Sequence, residues 1–395
     1  MEIVYALDET PEVLTHSVFL AGPTPRSESV SSWRPAMLEQ LSKLGFSGTV
    51  FVPEPEDGEW SGDYVEQAGW ERTHLDLCDV IVAWIPRDME NMPALTTNVE
   101  FGRYVTSRKI IYGRPQNAPH TKYLDWLYDE ECGLKPAVSL EEIAESVVRE
   151  CKERQYRRTG GERCIPARIW ESEMFQQWYQ SHRQSGNRLD GARVLWSFFP
   201  KPDFLLSYIL RVNVYVAKED RNKSNEYIFS RKNISTVLPV WKNPDTDSIL
   251  DTKIVLVREF RSPVQSHDSF VRELPSGSEI DQTGNKALEV AANELQQETG
   301  LEIPKERLAR ISSRQICATL STHRSYLYIA SLIDEEIQQA EELARSGKCF
   351  GESGSSEQTY VEVKTLGELL KSSEIDYTTL GMIMDGVAWL TGVGK

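Results

Sequence analysis

Positive charge is in short supply. The chain carries 44 Lys and Arg against 60 Asp and Glu, a formal net charge of -16. Such a surface repels a phosphate backbone, so nucleic acid is not an expected partner. The one basic cluster, KERQYRRTGGER from Lys152 to Arg163, reads as an exposed linker between two domains. Cysteine is scarce as well. Cys78, Cys132, Cys151, Cys164, Cys317 and Cys349 are scattered, and none stands in a CxxC pair. That spacing argues against a zinc site and against a disulfide framework. No apolar run reaches membrane-spanning length, which excludes a helical membrane span. The start, MEIVYALDETPEVL, has no basic region followed by an apolar core, so no signal peptide is expected. Internal repeats and long low-complexity tracts are absent too. These absences point to a reducing cytoplasm.

What is there suits an ordinary globular protein of two domains. The chain has 395 residues, 40% hydrophobic and 26% charged, too long for one typical domain. The expected boundaries are a first domain at 1–150, a basic linker at 151–175 and a second domain at 176–395. In the first, the apolar runs HSVFLAGP, GTVFVPE, CDVIVAWIP and RKIIYGRP alternate with helical stretches. Apolar strands joined by helices predict an α/β domain with a doubly wound parallel sheet covered on both faces. Ligands of such sheets sit at the carboxyl ends of the strands. Ala21-Gly22-Pro23-Thr24, Pro53-Glu54 and Pro86-Arg87-Asp88 fall there, and Glu100 follows in PALTTNVEFG, where Thr96, Thr97 and Asn98 are candidate helix caps. A single carboxylate is more often a solvated surface charge; several at one sheet edge are less easily dismissed.

The ordered set FLAGPTPR, SWRP, CDVIVAWIPRD and TTNVEFG, within Ser17 to Tyr123, resembles the nucleoside 2-deoxyribosyltransferase superfamily. The resemblance implies that Glu100 attacks the anomeric carbon of a nucleoside and that Asp79 lies near the base and sugar. It places Gly22, Pro23, Asp88 and Asn98 as substrate-binding positions. A carboxylate nucleophile splits one hard step into two easier ones. The stretch Pro93 to Thr97 departs from the family pattern, because it lacks the acidic residue often found just before the Glu; Asp88 and Glu90 are the nearby carboxylates.

After the basic cluster the pattern changes. SYILRVNVYVA, EYIFSR, TVLPVW, KIVLVREFRSP and ISSRQICATLSTHRSYLYIASL read as strands, with helices at about 286–299 and around TTLGMIMDGVAWL, predicting an α+β domain. In ANELQQETGLEI, Leu288, Ala291, Ala292 and Leu295 form a core face. Glu294 and Glu298 project together from another, with Gln297 beside them, and Gly300 is suited to cap the end. From these two carboxylates alone a solvated acidic face is the simpler reading. VLVREFRSP, RELPSGSEID, the helix and SEQTYVEVKTLGELL, within Tyr208 to Leu390, resemble the Nudix hydrolases of ADP-ribose pyrophosphatase type. Against that family's box the chain keeps Gly277, Glu294, Glu298, Gly300 and Leu301, and carries Asn285, Asn293 and Gln297 where Glu, Arg and Glu are usual. The resemblance implies a Nudix fold and a metal site at Glu294, Gln297 and Glu298 for Mg²⁺, or Mn²⁺. It also implies substrate contact at Arg261 and a general base at Glu352 or Glu357, of which Glu357 fits the spacing better. Mg²⁺ often needs only one or two protein carboxylates, whereas loss of an orienting Arg typically costs ~10–100-fold.

Together the halves predict a bifunctional enzyme. One domain would cleave or transfer an N-glycosidic bond, and the other would hydrolyse the pyrophosphate of an ADP-ribose-like nucleotide. The partners would be small nucleosides or nucleotides, with a homodimer formed through SYILRVNVYVA. The alternative is a nucleotide-binding sensor with a weak or inactive Nudix site.

Overall fold

The computed structural model describes residues 1–27, 29–60, 63–151, 156–201, 204–278, 287–351 and 356–393. Backbone contacts divide the chain into two units, Met1–Ser230 and Arg231–Lys395. No helix among the described residues is long and apolar enough to cross a membrane.

The first unit begins β1 (Glu2–Tyr5), β2 (Val13–Leu14), β3 (Ser17–Ala21), α1 (Arg34–Lys43), β4 (Thr49–Val52), α2 (Tyr64–Leu77), β5 (Val80–Trp84), α3 (Leu95–Tyr104), β6 (Ile110–Gly113), α4 (Lys122–Cys132) and α5 (Leu140–Cys151). Five strands form one sheet in the order β1-β4-β3-β5-β6, every pair parallel. β1 was not read as a strand; it is only four residues long. Alternate strand residues face opposite cores. Phe19, Ala21, Phe51, Ile81 and Ala83 pack toward α2, α3 and α4. Val18, Leu20, Val50, Val82 and Trp84 pack toward α1 and α5. Helices therefore cover both faces, as the continuous apolar runs predict. Pro35 lies in the first turn of α1, where its missing N–H costs nothing. From β3 the chain winds to β4 on one side, and β5 lies on the other, so the strand order reverses at β3.

This unit does not stop at residue 150. β7 (Arg158–Thr159) pairs with β2, and Arg158 is fully buried with its guanidinium 2.6 Å from Asp79. Arg163 donates to the carbonyls of Thr10 and Pro11. The described part of the expected linker is thus a strap held against the first unit, with the Arg158 charge paired inside. α6 (Ala167–Trp170), α7 (Glu173–Gln184), β8 (Arg188–Phe198), β9 (Ser207–Val216) and β10 (Arg221–Arg231) follow. Phe175, Tyr179, Leu189, Tyr208 and Leu210 give them a core of their own.

The second unit holds β11 (Ile234–Trp241), β12 (Lys253–Phe260), β13 (Phe270–Glu273), β14 (Ser276–Ser278), α8 (Ala287–Thr299), β15 (Leu308–Gln315), β16 (Arg324–Ser331), α9 (Asp334–Ser346), β17 (Cys349–Phe350), β18 (Thr359–Thr365), α10 (Leu366–Leu369) and α11 (Tyr377–Leu390). Its sheet runs β15-β16-β11-β12-β18-β17. Only β11 with β16 is parallel among the registered pairs. Ala291 and Leu295 of α8 and Ile337 and Ala340 of α9 pack on one core. Leu366, Leu369 and Ile383 of α10 and α11 pack on another. α9 was not read from the sequence; it carries five carboxylates and a narrow apolar stripe.

Candidate active site

In the first unit a cavity of about 240 Å³ opens at the carboxyl ends of the strands. Its walls come from the turn after β3 (Gly22 to Thr24), Pro53 after β4, the amino-terminal half of α2, and the start of α3. This is the crevice beside β3 where the strand order reverses, the expected place for a ligand.

Three side chains give it its chemistry. Glu100, half-buried on α3, and Glu71, half-buried on α2, both line the cavity, as does Arg34. Arg34 is fully buried, which is tolerable because acceptors surround it. It donates to Leu20 O at 3.1 Å, Gly22 O at 2.7 Å and Thr24 Oγ1 at 3.1 Å, and it pairs with Glu54. Burial pushes the Glu100 carboxyl up to about 7; the Glu71 charge adds to the rise and Arg34 opposes it. Burial raises Glu71 too, against a hydrogen bond from Gln67 and the charge of Arg34. Two neighbouring carboxylates raised in this way favour a state that shares one proton. Exposed Trp60 and Tyr64 at the same cavity offer aromatic faces to a ring.

The cavity wall is tightly built. A Cβ on Gly22 would lie 2.4 Å from Trp84 O and 2.6 Å from the Trp33 ring, so only glycine fits. α3 starts from Ala94 in a left-handed conformation, φ +58°, with no side-chain cap. The expected caps at Thr96, Thr97 and Asn98 therefore give way to a helix that begins at Leu95. A non-glycine residue in that conformation costs roughly 1–2 kcal/mol, and such strain collects at functional sites.

In the second unit α8 presents Glu294 and Glu298 toward β14. Glu298 is buried and accepts from Ser276 N at 3.0 Å. Thr359 Oγ1 donates to its backbone carbonyl, fixing this turn of the helix. Burial raises the Glu298 carboxyl well above its usual value, and the charges of Glu294, Glu357 and Glu259 add to that. Burial likewise raises Glu259, and Arg261, 2.8 Å away, opposes it. A Cβ on Gly277 would fall 1.9 Å from Glu294 Oε1, so glycine here is what admits the carboxylate against the backbone. Gln297 is exposed, and its backbone carbonyl accepts from Gly351. Among the described residues no three His, Cys, Asp or Glu side chains form a metal-holding group. Glu294 and Glu298 are the two α8 carboxylates against β14, and Mg²⁺ often needs only one or two protein carboxylates.

Residues 15–118 match the family model described as "Nucleoside 2-deoxyribosyltransferase like". This segment is a nucleoside 2-deoxyribosyltransferase-like domain. It contains all of the cavity walls at the reversal point of the sheet. A solved structure titled "Crystal structure of ADP compounds hydrolase" has a TM-score of 0.33 and 14% identity, covering 52% of this chain and 98% of its own. A likeness at that level carries no argument. No curated protein matches the chain.

The deoxyribosyltransferase-like domain sorts the residues singled out in its sequence. Glu100, Gly22 and Pro23 line the cavity. Asp79 does not. It lies at the other end of β5, buried, accepting from Ser17, Ala167 and Arg158, and Arg158 and these hydrogen bonds hold its carboxyl low against the cost of burial. Where it stands, it anchors the strap through Arg158. Asp88 accepts from Asn91 and from Glu90 N, closing its own turn. Asn98 accepts from Arg87 at 2.5 Å. Neither lines the cavity. Glu71 was missed. The signal for it was present: a carboxylate on the helix leading into CDVIVAWIP, at the helix end nearer the carboxyl edge of the sheet. In the second unit Arg261 and Glu357 join the carboxylate group around Glu298. Asn285 and Glu352 lie outside the described residues.

Proposed function

We propose that the first unit cleaves or transfers the N-glycosidic bond of a nucleoside or nucleotide, with Glu100 as nucleophile and Glu71 as the proton carrier. Glu100 bonds to the anomeric carbon, the carbon–nitrogen bond breaks with its electron pair leaving on the base, and protonated Glu71 supplies the base with its proton. Water or an acceptor hydroxyl, giving its proton to Glu71, then releases the sugar. The observation that carries this reading is the pair itself: two raised carboxylates and one buried guanidinium in a cavity inside the family-matched segment. Two coupled carboxylates, both raised by burial, suit a site in which one group attacks ionised while the other carries the proton.

For the second unit we propose a Nudix-type pyrophosphohydrolase acting on an ADP-ribose-like nucleotide. Glu294 and Glu298 would hold Mg²⁺ or Mn²⁺, and Glu357 would serve as base. When bound, the cation would neutralise phosphate charge. Arg261, beside Glu259 and Glu273, would position the substrate's phosphates or ribose. The two reactions in series would remove a base from a dinucleotide and then split the remaining diphosphate. The proposed setting is a homodimer in the cytoplasm. A second reading, a nucleotide sensor with a silent second unit, is favoured by the exposed Gln297 and by the two-carboxylate donor set.

Chromatography of products from NAD, ADP-ribose and nucleoside monophosphates, with and without Mg²⁺, tests both. Free base without metal and AMP only with metal support the bifunctional enzyme. Tight binding with neither product moves the assignment to the sensor.

A further inference from the structure

A second cavity in the first unit, about 370 Å³, lies along the edge strand β6, between it, α4 and α5. It is larger than the cavity at Glu100 and stands at the opposite, amino-terminal side of β5 and β6, where Asp79, Val80, Lys109 and Ile110 contribute to its wall. Its lining is unusual for this chain. Arg108, Lys109, Lys135, Arg149 and Arg168 face three carboxylates, in a molecule of net charge -16.

The partners of these charges decide which remain for a ligand. Asp79 belongs to Arg158 at 2.6 Å, Glu150 to Arg168 at 2.8 Å, and Glu142 accepts from Val138 N at 2.8 Å. Lys135 pairs with Asp129 at 2.5 Å. Lys109 donates to Leu75 O and Asp76 O at 2.7 and 3.0 Å, satisfying the last carbonyls of α2. Among the described residues, Arg108 and Arg149 stand in none of these carboxylate pairs. Arg108 interacts with the Cys132 thiol, and Arg149 gives one hydrogen bond to Ser146 Oγ at 3.1 Å. A guanidinium has about five donors in a fork that matches a phosphate. The other wall is apolar, from Ile111, Tyr128 and Leu134, the last 49% exposed although it lines a cavity. A few charged donors beside an apolar wall is the make-up of a small-molecule site.

We infer that this cavity binds a nucleoside monophosphate, its phosphate on Arg108 and Arg149 and its base against Tyr128, Ile111 and Leu134. The inference rests on this lining alone and stands or falls separately from the chemistry at Glu100. A cationic pocket in an acidic surface would collect such an anion selectively.

Isothermal titration of the full chain with AMP, adenosine and inorganic phosphate tests it, on the wild type and on Arg149→Glu and Arg108→Ala. Arg149 is exposed on α5, so its replacement leaves the fold intact, which circular dichroism checks. The expected result is AMP binding that weakens at least about tenfold in each folded variant and falls with added salt. Adenosine and phosphate alone would each bind more weakly than AMP. Unchanged AMP affinity in Arg149→Glu, phosphate binding as tight as AMP, or no AMP binding would each overturn it. So would AMP binding abolished by Glu100→Ala but not by Arg149→Glu.

Discussion

Glu71 raises the pKa of Glu100. The two carboxylates stand on different helices, α2 and α3, and meet at one cavity where Arg34 draws both down and burial drives both up. If Glu71 donates to the leaving base, Glu71→Gln lowers base release by about 10²–10⁴-fold. It also removes one cause of the raised Glu100 value, so the acidic limb of the pH–rate profile, expected near pH 7, moves to lower pH. An unmoved limb would separate Glu71 from Glu100.

The same pair sets a stability signature. The folded-state value of Glu100 is about 7, above its ordinary 4.5, so between those pH values the folded state holds more protons than the unfolded one. Stability contributed by this group is present at low pH and declines as pH rises through about 7. Glu100→Gln removes the charge. It should raise Tm at pH 8 by a few degrees, since ~1 kcal/mol moves Tm by roughly 2–4 °C in a unit of this size, and change little at pH 4. Differential scanning calorimetry at the two pH values reads this directly.

Asp79 and Arg158 form a buried ion pair, and removing one partner leaves the other charge uncompensated. Arg158→Met should cost about 3–5 kcal/mol in urea unfolding, and Asp79→Asn with Arg158→Met should recover much of that loss. Base release per folded molecule should be unaffected by Asp79→Asn, because the residue lies away from the Glu100 cavity. A large drop in that rate with the fold intact would restore Asp79 to the catalytic group.

Glu298 is held among like charges, so a divalent cation should relieve the strain. Mg²⁺ at millimolar concentration is expected to raise Tm of the wild type at pH 8. Glu298→Gln keeps an acceptor for Ser276 N, removes the repulsion, and should be more stable without metal while losing the Mg²⁺ response. An equal Mg²⁺ shift in both proteins would place the cation elsewhere.

Much of the first unit could be read from sequence because its signals are local. Buried parallel strands such as SVFLA and VIVAW are continuous apolar runs, and Glu100 sits in a motif. Glu71 sits in no such motif, and its role depends on α2 and α3 meeting at one cavity on the same face of the sheet. Arg158 misled for the opposite reason: a basic cluster looks solvated until its carboxylate partner, 79 positions away, is placed beside it. In the second unit α8 ran as read, from its core face at Ala291 and Leu295 to Gly300 at φ +72°. What α8's carboxylates do depends on charges from β12 and the segment before β18, which spacing along one helix does not reveal.

The most direct test of the central claim is release of free base from a nucleoside or nucleotide in EDTA, compared between wild type and Glu100→Ala. Metal-free release by the wild type, lost by at least about 10²-fold in the variant, is the predicted result. Base release that persists unchanged in Glu100→Ala, or that is absent from the wild type with every nucleoside and nucleotide offered, would contradict it.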